Sequence, residues 1–358
     1  MGRTTGQRLT GAAVGILVAC LLAACAGDEP TAAGATTTTS ATTTTTTTPS
    51  TTPAAVVTDG TAVVAEVVDR TKVRGAFHLA VGSGSVWVTV PRRLEVVRLD
   101  RRTGKVRARI DIGGRGADNA AGEPTFVAFG AGAVWATSPT EDTVVRIDPS
   151  DDTVTDRIAV GDDPWQLAAG TDAVWVTNHH GSATASVSRI DPATREVVAT
   201  VPMGTPPQGP GHVAVGPGSV WVNVDSDDAV VRIDPRTDQV VATVPVDGAC
   251  GGVAVGRSVW VSSRICGSSV SQIDPVTGEV LTETELPGLT LGVAELAGSG
   301  WVARVVGFRG HLTRIEPSTG DVLGSLDVGH DVAALTSAGG VLWAVGGDTV
   351  SRVAPRPL

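Results

Sequence analysis

Apolar and polar residues alternate in short runs along most of this chain, and the runs recur in groups of four. One group contains "SVWVT" at 85–89, another "VVRIDP" at 144–149, another "REVVATVPMG" at 195–204. Period-two runs rich in Val, Ile and Trp, split by Gly, Pro and Asp turns, predict short β-strands. The Trp recurs at Trp87, Trp135, Trp175, Trp221, Trp260, Trp301 and Trp343, at spacings of 48, 40, 46, 39, 41 and 42 residues. An acidic turn residue recurs at Asp100, Asp148, Asp191, Asp234, Asp274 and Glu316, and a seventh unit, "VSRVAP" at 350–355, lacks it. Four strands in about 40 residues is the signature of a propeller blade. The period-two runs and the density of Gly and Pro exclude a helical solenoid. The pattern therefore predicts an all-β fold, a seven-bladed β-propeller.

In blade 3 the strands A to D read as Gln166–Ala169, Val174–Thr177, Ser186–Ile190 and Glu196–Val201. The chain ends after a C strand, Thr349–Val353, so blade 7 lacks a D strand of its own. Near the other end, Ala62–Val68 reads as a D strand with no blade. Pairing the two would close the ring and remove its two exposed sheet edges. The repeat Trp lie mid-strand B, where a large ring packs between sheets, and are expected to be structural.

Ahead of the repeats the pattern changes. Arg3 and Arg8 precede a short apolar run, Ala12 to Ala24, as in a signal peptide. The run is short for a membrane span, which needs about 20 apolar residues. It ends in Leu22-Ala23-Ala24-Cys25, which resembles the bacterial lipobox; Leu17-Val18-Ala19-Cys20 fits less well. A Thr-rich stretch follows, from Thr31 to about Thr52, with no apolar period to support folding. The expected organisation is a lipoprotein signal peptide at 1–24, a disordered tether at 25–59 starting at lipidated Cys25, and the propeller at 60–358. The expected location is the extracytoplasmic side of the cell membrane, held by the lipid anchor alone. Formal net charge is −10, so the electrostatic footprint of a nucleic-acid binder is missing.

Within a blade the A–B and C–D loops open on one face, and the B–C and D–A loops on the other. The A–B and C–D turns are short and uniform. The D–A and B–C loops vary in length and chemistry, so function is expected on their face. Trp165, in "GDDPWQL", is the one Trp outside the repeat position. It reads either as a stacking residue for a ligand or as a plug of the channel mouth. His78, Gln166 and His212 share one position at the start of strand A, facing the channel rim, either as ligand contacts or as unrelated polar residues. His179 and His180, adjacent in one loop of the same face, are further candidate ligand contacts. A metal site needs three or four converging ligands, and the remaining His lie on other blades, so no metal or other cofactor is expected. Asp225, Asp227 and Asp228 lack a complete calcium-loop pattern.

Cys250 and Cys266 fall in the D–A and B–C loops flanking blade 5, on one face. In an oxidising compartment they are expected to pair, closing a loop worth roughly 3 kcal/mol. Two buried small residues, or a metal pair, are the alternatives.

The units "VWVTN…SRIDPATREVVATVPMG" and "VWVN…VVRIDPRTDQVVATVPV" resemble YVTN-type propellers and the related streptogramin B lyase family. The resemblance covers about residues 60–355 and implies the fold more than any activity. In the lyases it implies a "PHGI" His at the start of strand A, a Glu near the end of strand B, and Mg²⁺. Here His78 and His212 approach the first position without the Pro, and the second reads Val90, Ser138, Asn178, Val224, Ser263, Arg304 and Gly346, with no Glu. The expected function is a monomeric, non-enzymatic surface scaffold that binds a protein, peptide or cell-envelope component. A lyase or hydrolase at the channel mouth is the alternative.

Overall fold

The computed structural model describes residues 64–113, 125–178, 185–203, 210–224, 228–263 and 268–356. The leader, the tether, Cys25, His179, His180, Asp225, Asp227 and Cys266 lie outside the described residues. Residues Ala62–Leu358 form one compact unit.

Among the described residues, 28 strands make seven four-stranded antiparallel sheets. Six sheets are simple meanders in chain order. Blade 3 is Pro164–Ala169, Val174–Asn178, Ser186–Asp191 and Glu196–Pro202, within two residues of the boundaries set by pattern. The seventh sheet joins the two ends of the chain. Its A, B and C strands are Ala334–Ala338, Val341–Gly346 and Thr349–Pro355, and its D strand is Ala65–Lys72. The pairing runs from Ala65 opposite Pro355 to Lys72 opposite Thr349, with a bulge at Val68.

The closing strand thus lies about three residues later than Ala62–Val68. The reason is its place at the rim. An outermost strand buries only alternate side chains, and here exposed and half-buried positions alternate after Ala65. Asp69, Arg70, Thr71 and Lys72 are therefore compatible with the strand although they break the apolar run.

Seven core clusters correspond to the seven seams between blades. Each repeat Trp belongs to the cluster of the following blade. Trp87 packs with Val127, Val134 and Ile147 of blade 2; Trp301 packs with Leu335, Leu342 and Val353 of blade 7; Trp343 packs with Leu79, Val86 and Leu99 of blade 1. All seven rings are at most 2% exposed. Truncating such a ring typically costs about 3 to 5 kcal/mol.

An Arg on strand C stands directly opposite the Trp in six blades: Arg98, Arg146, Arg189, Arg232, Arg314 and Arg352. In blades 1, 2, 3 and 6 its guanidinium lies over the indole, 5.0 to 5.7 Å from the ring centre. Five of these Arg then reach into the next blade. Arg98 bonds the Pro149 carbonyl at 2.9 Å and Asp152 at 2.8 Å. Arg189 bonds Asp238, Arg232 the Val276 carbonyl, Arg314 the Arg356 carbonyl and Arg352 the Arg102 carbonyl. Blade 5 departs from the rule, with Gln272 opposite Trp260. The acid of each C–D turn folds the turn itself. Asp274 accepts the Val276 and Thr277 N–H groups, and those bonds hold its carboxyl below the usual range.

Deleting residues 62–72 should strip the partner from Thr349–Pro355 and leave an unpaired edge. The expected outcome is aggregation or loss of a single cooperative melting transition; an unchanged melting curve would contradict this role for the strand.

Candidate functional site

The inner strands present one side chain each at the same level of the channel mouth. Aligned by their pairing to strand B, the seven positions are His78, Phe126, Gln166, His212, Gly252, Gly292 and Ala334. Blades 1 to 4 supply large groups and blades 5 to 7 supply small ones. The small side has a steric cause. A Cβ on Gly252 would sit 3.1 Å from the Leu291 carbonyl oxygen, and one on Gly292 would sit 3.1 Å from the Leu335 nitrogen. Neighbouring inner strands therefore meet backbone to backbone there.

On the large side Phe126 is the centre. Its ring lies 5.4 Å from Phe77, 4.9 Å from His78, 5.4 Å from Trp165 and 6.0 Å from His212. Phe126 is buried, whereas Phe77, His78, Trp165 and His212 are half-buried. Trp165 is brought in by the turn before it, where Asp163 takes a positive φ of 49° and its N–H donates to Asp142 of blade 2 at 2.8 Å. Trp165 is thus a member of an aromatic cluster that fills part of the mouth and keeps one portion of its surface open.

A second set of residues, two places after the repeat Trp, fixes the inner strands from behind: Thr89, Thr137, Thr177, Asn223 and Ser262. The Thr137 hydroxyl accepts the Phe126 N–H at 2.9 Å and donates to the Trp165 carbonyl of blade 3 at 3.1 Å. Thr177 accepts the Gln166 N–H at 3.1 Å and donates to the Gly211 carbonyl of blade 4 at 2.9 Å. Asn223 accepts the His212 N–H and donates to the Ala249 and Gly251 carbonyls of blade 5. Ser262 accepts the Gly252 N–H at 2.8 Å. Each such residue closes its own blade, and in blades 2 to 5 it also latches the next, Ser262 by donating to the Leu291 carbonyl of blade 6 at 3.5 Å. Blades 6 and 7 carry Ala303 and Val345 at this place.

The rim polar groups are similarly engaged. The Gln166 side-chain oxygen accepts the Val213 N–H at 2.6 Å, and His78 Nδ1 accepts the Val127 N–H at 3.4 Å. Burial lowers the His78 pKa from 6.5 to about 4. A neutral ring also suits the Val127 contact, since the nitrogen that accepts must be unprotonated.

Of the residues singled out by sequence, the structure brings His78, Trp165 and His212 together through Phe126 and places Gln166 in the same ring. Phe77 and Phe126 were missed, although Phe126 holds the register position of His78 and could have been found by aligning the strand A starts. The donors do not fit the magnesium of the lyases. The seven positions at the end of strand B contain no carboxylate, and among the described residues no three His, Cys, Asp or Glu side chains converge. Cys250 is half-buried beside blade 5; its proposed partner Cys266 lies outside the described residues. On the same face the blade 6 hairpin exposes Phe308, which is 95% accessible at a φ of 70°. An aromatic residue held exposed in a left-handed conformation motivates a contact role.

No family model and no curated protein matches the chain. Solved structures do match. A chain of hydrazine synthase from Kuenenia stuttgartiensis is 14% identical, with a TM-score of 0.63 over 80% of this chain and 97% of that one. A chain from a crystal structure of a mitotic checkpoint complex is 10% identical, with a TM-score of 0.68 over 88% and 98%. The Cps50 (Swd1) β-propeller domain of Myceliophteria thermophila is 10% identical, with a TM-score of 0.63 over 81% and 99%. At such identities the likeness shows the seven-bladed propeller and nothing of its activity.

The His78 shift makes stability depend on pH. Above pH 6.5 the ring is neutral in folded and unfolded chains alike. Between 6.5 and about 4 only the unfolded chain takes up the proton, so this contribution falls as pH falls, by roughly 3 kcal/mol in all. His78→Gln keeps an acceptor for Val127, as Gln166 does for Val213. Denaturant unfolding at two pH values, one on each side of this window, should show a smaller acid loss in the variant. Identical losses would mean that the folded His78 titrates freely.

Proposed function

We propose that the propeller is a non-enzymatic binding scaffold. Its ligand, a protein, peptide or cell-envelope component, docks on the face formed by the D–A and B–C loops. The observation that carries this reading is the aromatic cluster around Phe126, with Phe77, Trp165 and two His rings half-open beside it. The polar groups best placed for chemistry are occupied in holding strands: Gln166 on Val213, His78 on Val127. An aromatic surface on a rigid ring, with few uncommitted polar groups, favours stacking and apolar contact over proton transfer. The exposed Phe308 adds an apolar contact on the same face.

The likeness of the repeat strings to YVTN-type propellers supports the same reading, since it carries over the fold without a lyase site. The leader and the Leu22-Ala23-Ala24-Cys25 string support an exported chain lipidated at Cys25 and held on the membrane surface. The Thr-rich segment would then be a spacer between anchor and propeller. In that oxidising setting Cys250 would pair with Cys266.

Immobilised full chain should retain a component of detergent-solubilised envelope from the producing cells. Trp165→Ala should weaken that retention by about 2 kcal/mol. If the variant loses stability and keeps its affinity, Trp165 serves only as a plug. For the anchor, Cys25→Ser should release the chain into the medium. Retention of that variant on the membrane would refute the assignment, and two free thiols on its denatured, unreduced form would exclude the bridge.

A further inference from the structure

The turns of the A–B and C–D face look uniform in sequence, yet the seam between blades 5 and 6 departs from the others there. A groove of about 370 Å³ opens at this seam, lined by Arg257, Ser258, Gln272, Glu295, Glu316 and Pro317 among others. Between blades 1 and 2 the corresponding groove, of about 400 Å³, is lined by Ser85, Arg98, Asp100 and Asp152. That groove shows how the fold holds a guanidinium. Arg98 Nε bonds the Ser85 hydroxyl at 2.8 Å, and its Nη1 reaches the Pro149 carbonyl at 2.9 Å and the Asp152 carboxylate at 2.8 Å.

Blade 5 keeps half of this arrangement. Gln272 Nε2 bonds the Ser258 hydroxyl at 2.7 Å, as Arg98 Nε bonds Ser85. The shorter side chain ends there. Pro317 follows Glu316 in the blade 6 turn as Pro149 follows Asp148 in the blade 2 turn. No amide of Gln272 extends to it. The groove also carries two carboxylates. One oxygen of Glu295 accepts the Arg257 and Ser258 N–H groups, and one oxygen of Glu316 accepts from Ser318. Among the described residues no hydrogen bond is donated to the second oxygen of either. Exposed Arg257 stands at the edge, so the three charged groups leave the groove net negative.

We propose that this groove binds an arginine side chain of a peptide or protein partner, its guanidinium taking the place that Arg98 fills between blades 1 and 2. The Pro317 carbonyl and the Glu295 and Glu316 carboxylates would receive it. A guanidinium offers five N–H donors in a fixed planar fork that can pair with a carboxylate bidentately, against the three donors of a compact Lys ammonium, so arginine is favoured over lysine. The net charge of −10 draws basic partners toward the chain. The two carboxylates disfavour free arginine, whose own carboxylate would enter beside them.

The test is an NMR titration of the full chain with acetyl-argininamide at millimolar concentration and constant ionic strength. Saturable shifts of the Arg257, Ser258 and Glu316 amides are expected, with acetyl-lysinamide and free arginine binding at least about tenfold more weakly. Gln272→Arg should abolish the response and raise the melting temperature, because the chain then supplies its own guanidinium. Glu316→Gln should weaken binding several-fold, and Arg257→Ala should strengthen it. Absence of saturable shifts in the parent chain, or an undiminished response in both Gln272→Arg and Glu316→Gln, overturns the proposal. So does tighter binding of acetyl-aspartamide that is lost in Arg257→Ala. Free arginine binding as tightly as the blocked form would overturn the assignment to a peptide side chain.

Discussion

Everything in this fold depends on the indole that each blade lends to the next. A four-stranded sheet of this size cannot bury both of its faces by itself. Each Trp is therefore counted in the core of its neighbour, as with Trp135 among Leu167, Val174 and Val176 of blade 3. The ring is stable because this loan passes all the way round, from Trp343 of blade 7 to Leu79 and Val86 of blade 1. The stacked Arg adds direction to an otherwise non-directional contact. In blades 1, 3 and 6 the guanidinium covers the indole and ends on a carbonyl or carboxylate of the following blade, which sets how far one blade can slide along the next.

The mouth follows from the same constraint. With the outer part of each seam fixed by Trp and Arg, the inner strands are held by the hydroxyl and amide groups of Thr137, Thr177, Asn223 and Ser262. Where these latches run, in blades 2 to 5, the mouth positions are Phe126, Gln166, His212 and Gly252. Where they stop, at Ala303 and Val345, the mouth positions are Gly292 and Ala334. The bulky, aromatic side of the mouth and the polar latches thus largely coincide. The half-open surface around Phe126 is consequently built on the more tightly bonded part of the ring, as a preorganised contact surface requires.

Much of this could be read from the sequence because it repeats. The Trp spacing, the acidic turns and the orphan strand near residue 65 are period signals, and period signals survive substitution of individual residues. The closing strand was placed three residues early because a rim strand tolerates Asp69, Arg70 and Lys72, which interrupt the apolar count. Trp165 stood out as a single aromatic, but its partner Phe126 did not, since a Phe among Val and Ala looks like ordinary core. The importance of Gln272 was hidden for the opposite reason. A Gln among Arg residues is an unremarkable polar exchange until the structure shows that the longer side chain spans a seam.

The closed ring also has a consequence in time. Glu66 and Arg356, bonded across the final sheet, are 290 residues apart in the chain. A ribosome finishes blades 1 to 6 before the partner of the first strand exists. During synthesis that strand must wait, with its hydrogen-bonding edge exposed, until its partner Thr349–Pro355 has been made. The entropy of closing so long a loop grows only logarithmically with its length, so the delay itself, more than the closure cost, is the hazard. The charged residues that obscured this strand in the sequence, Asp69, Arg70 and Lys72, are the kind that keep a waiting edge from pairing with another chain.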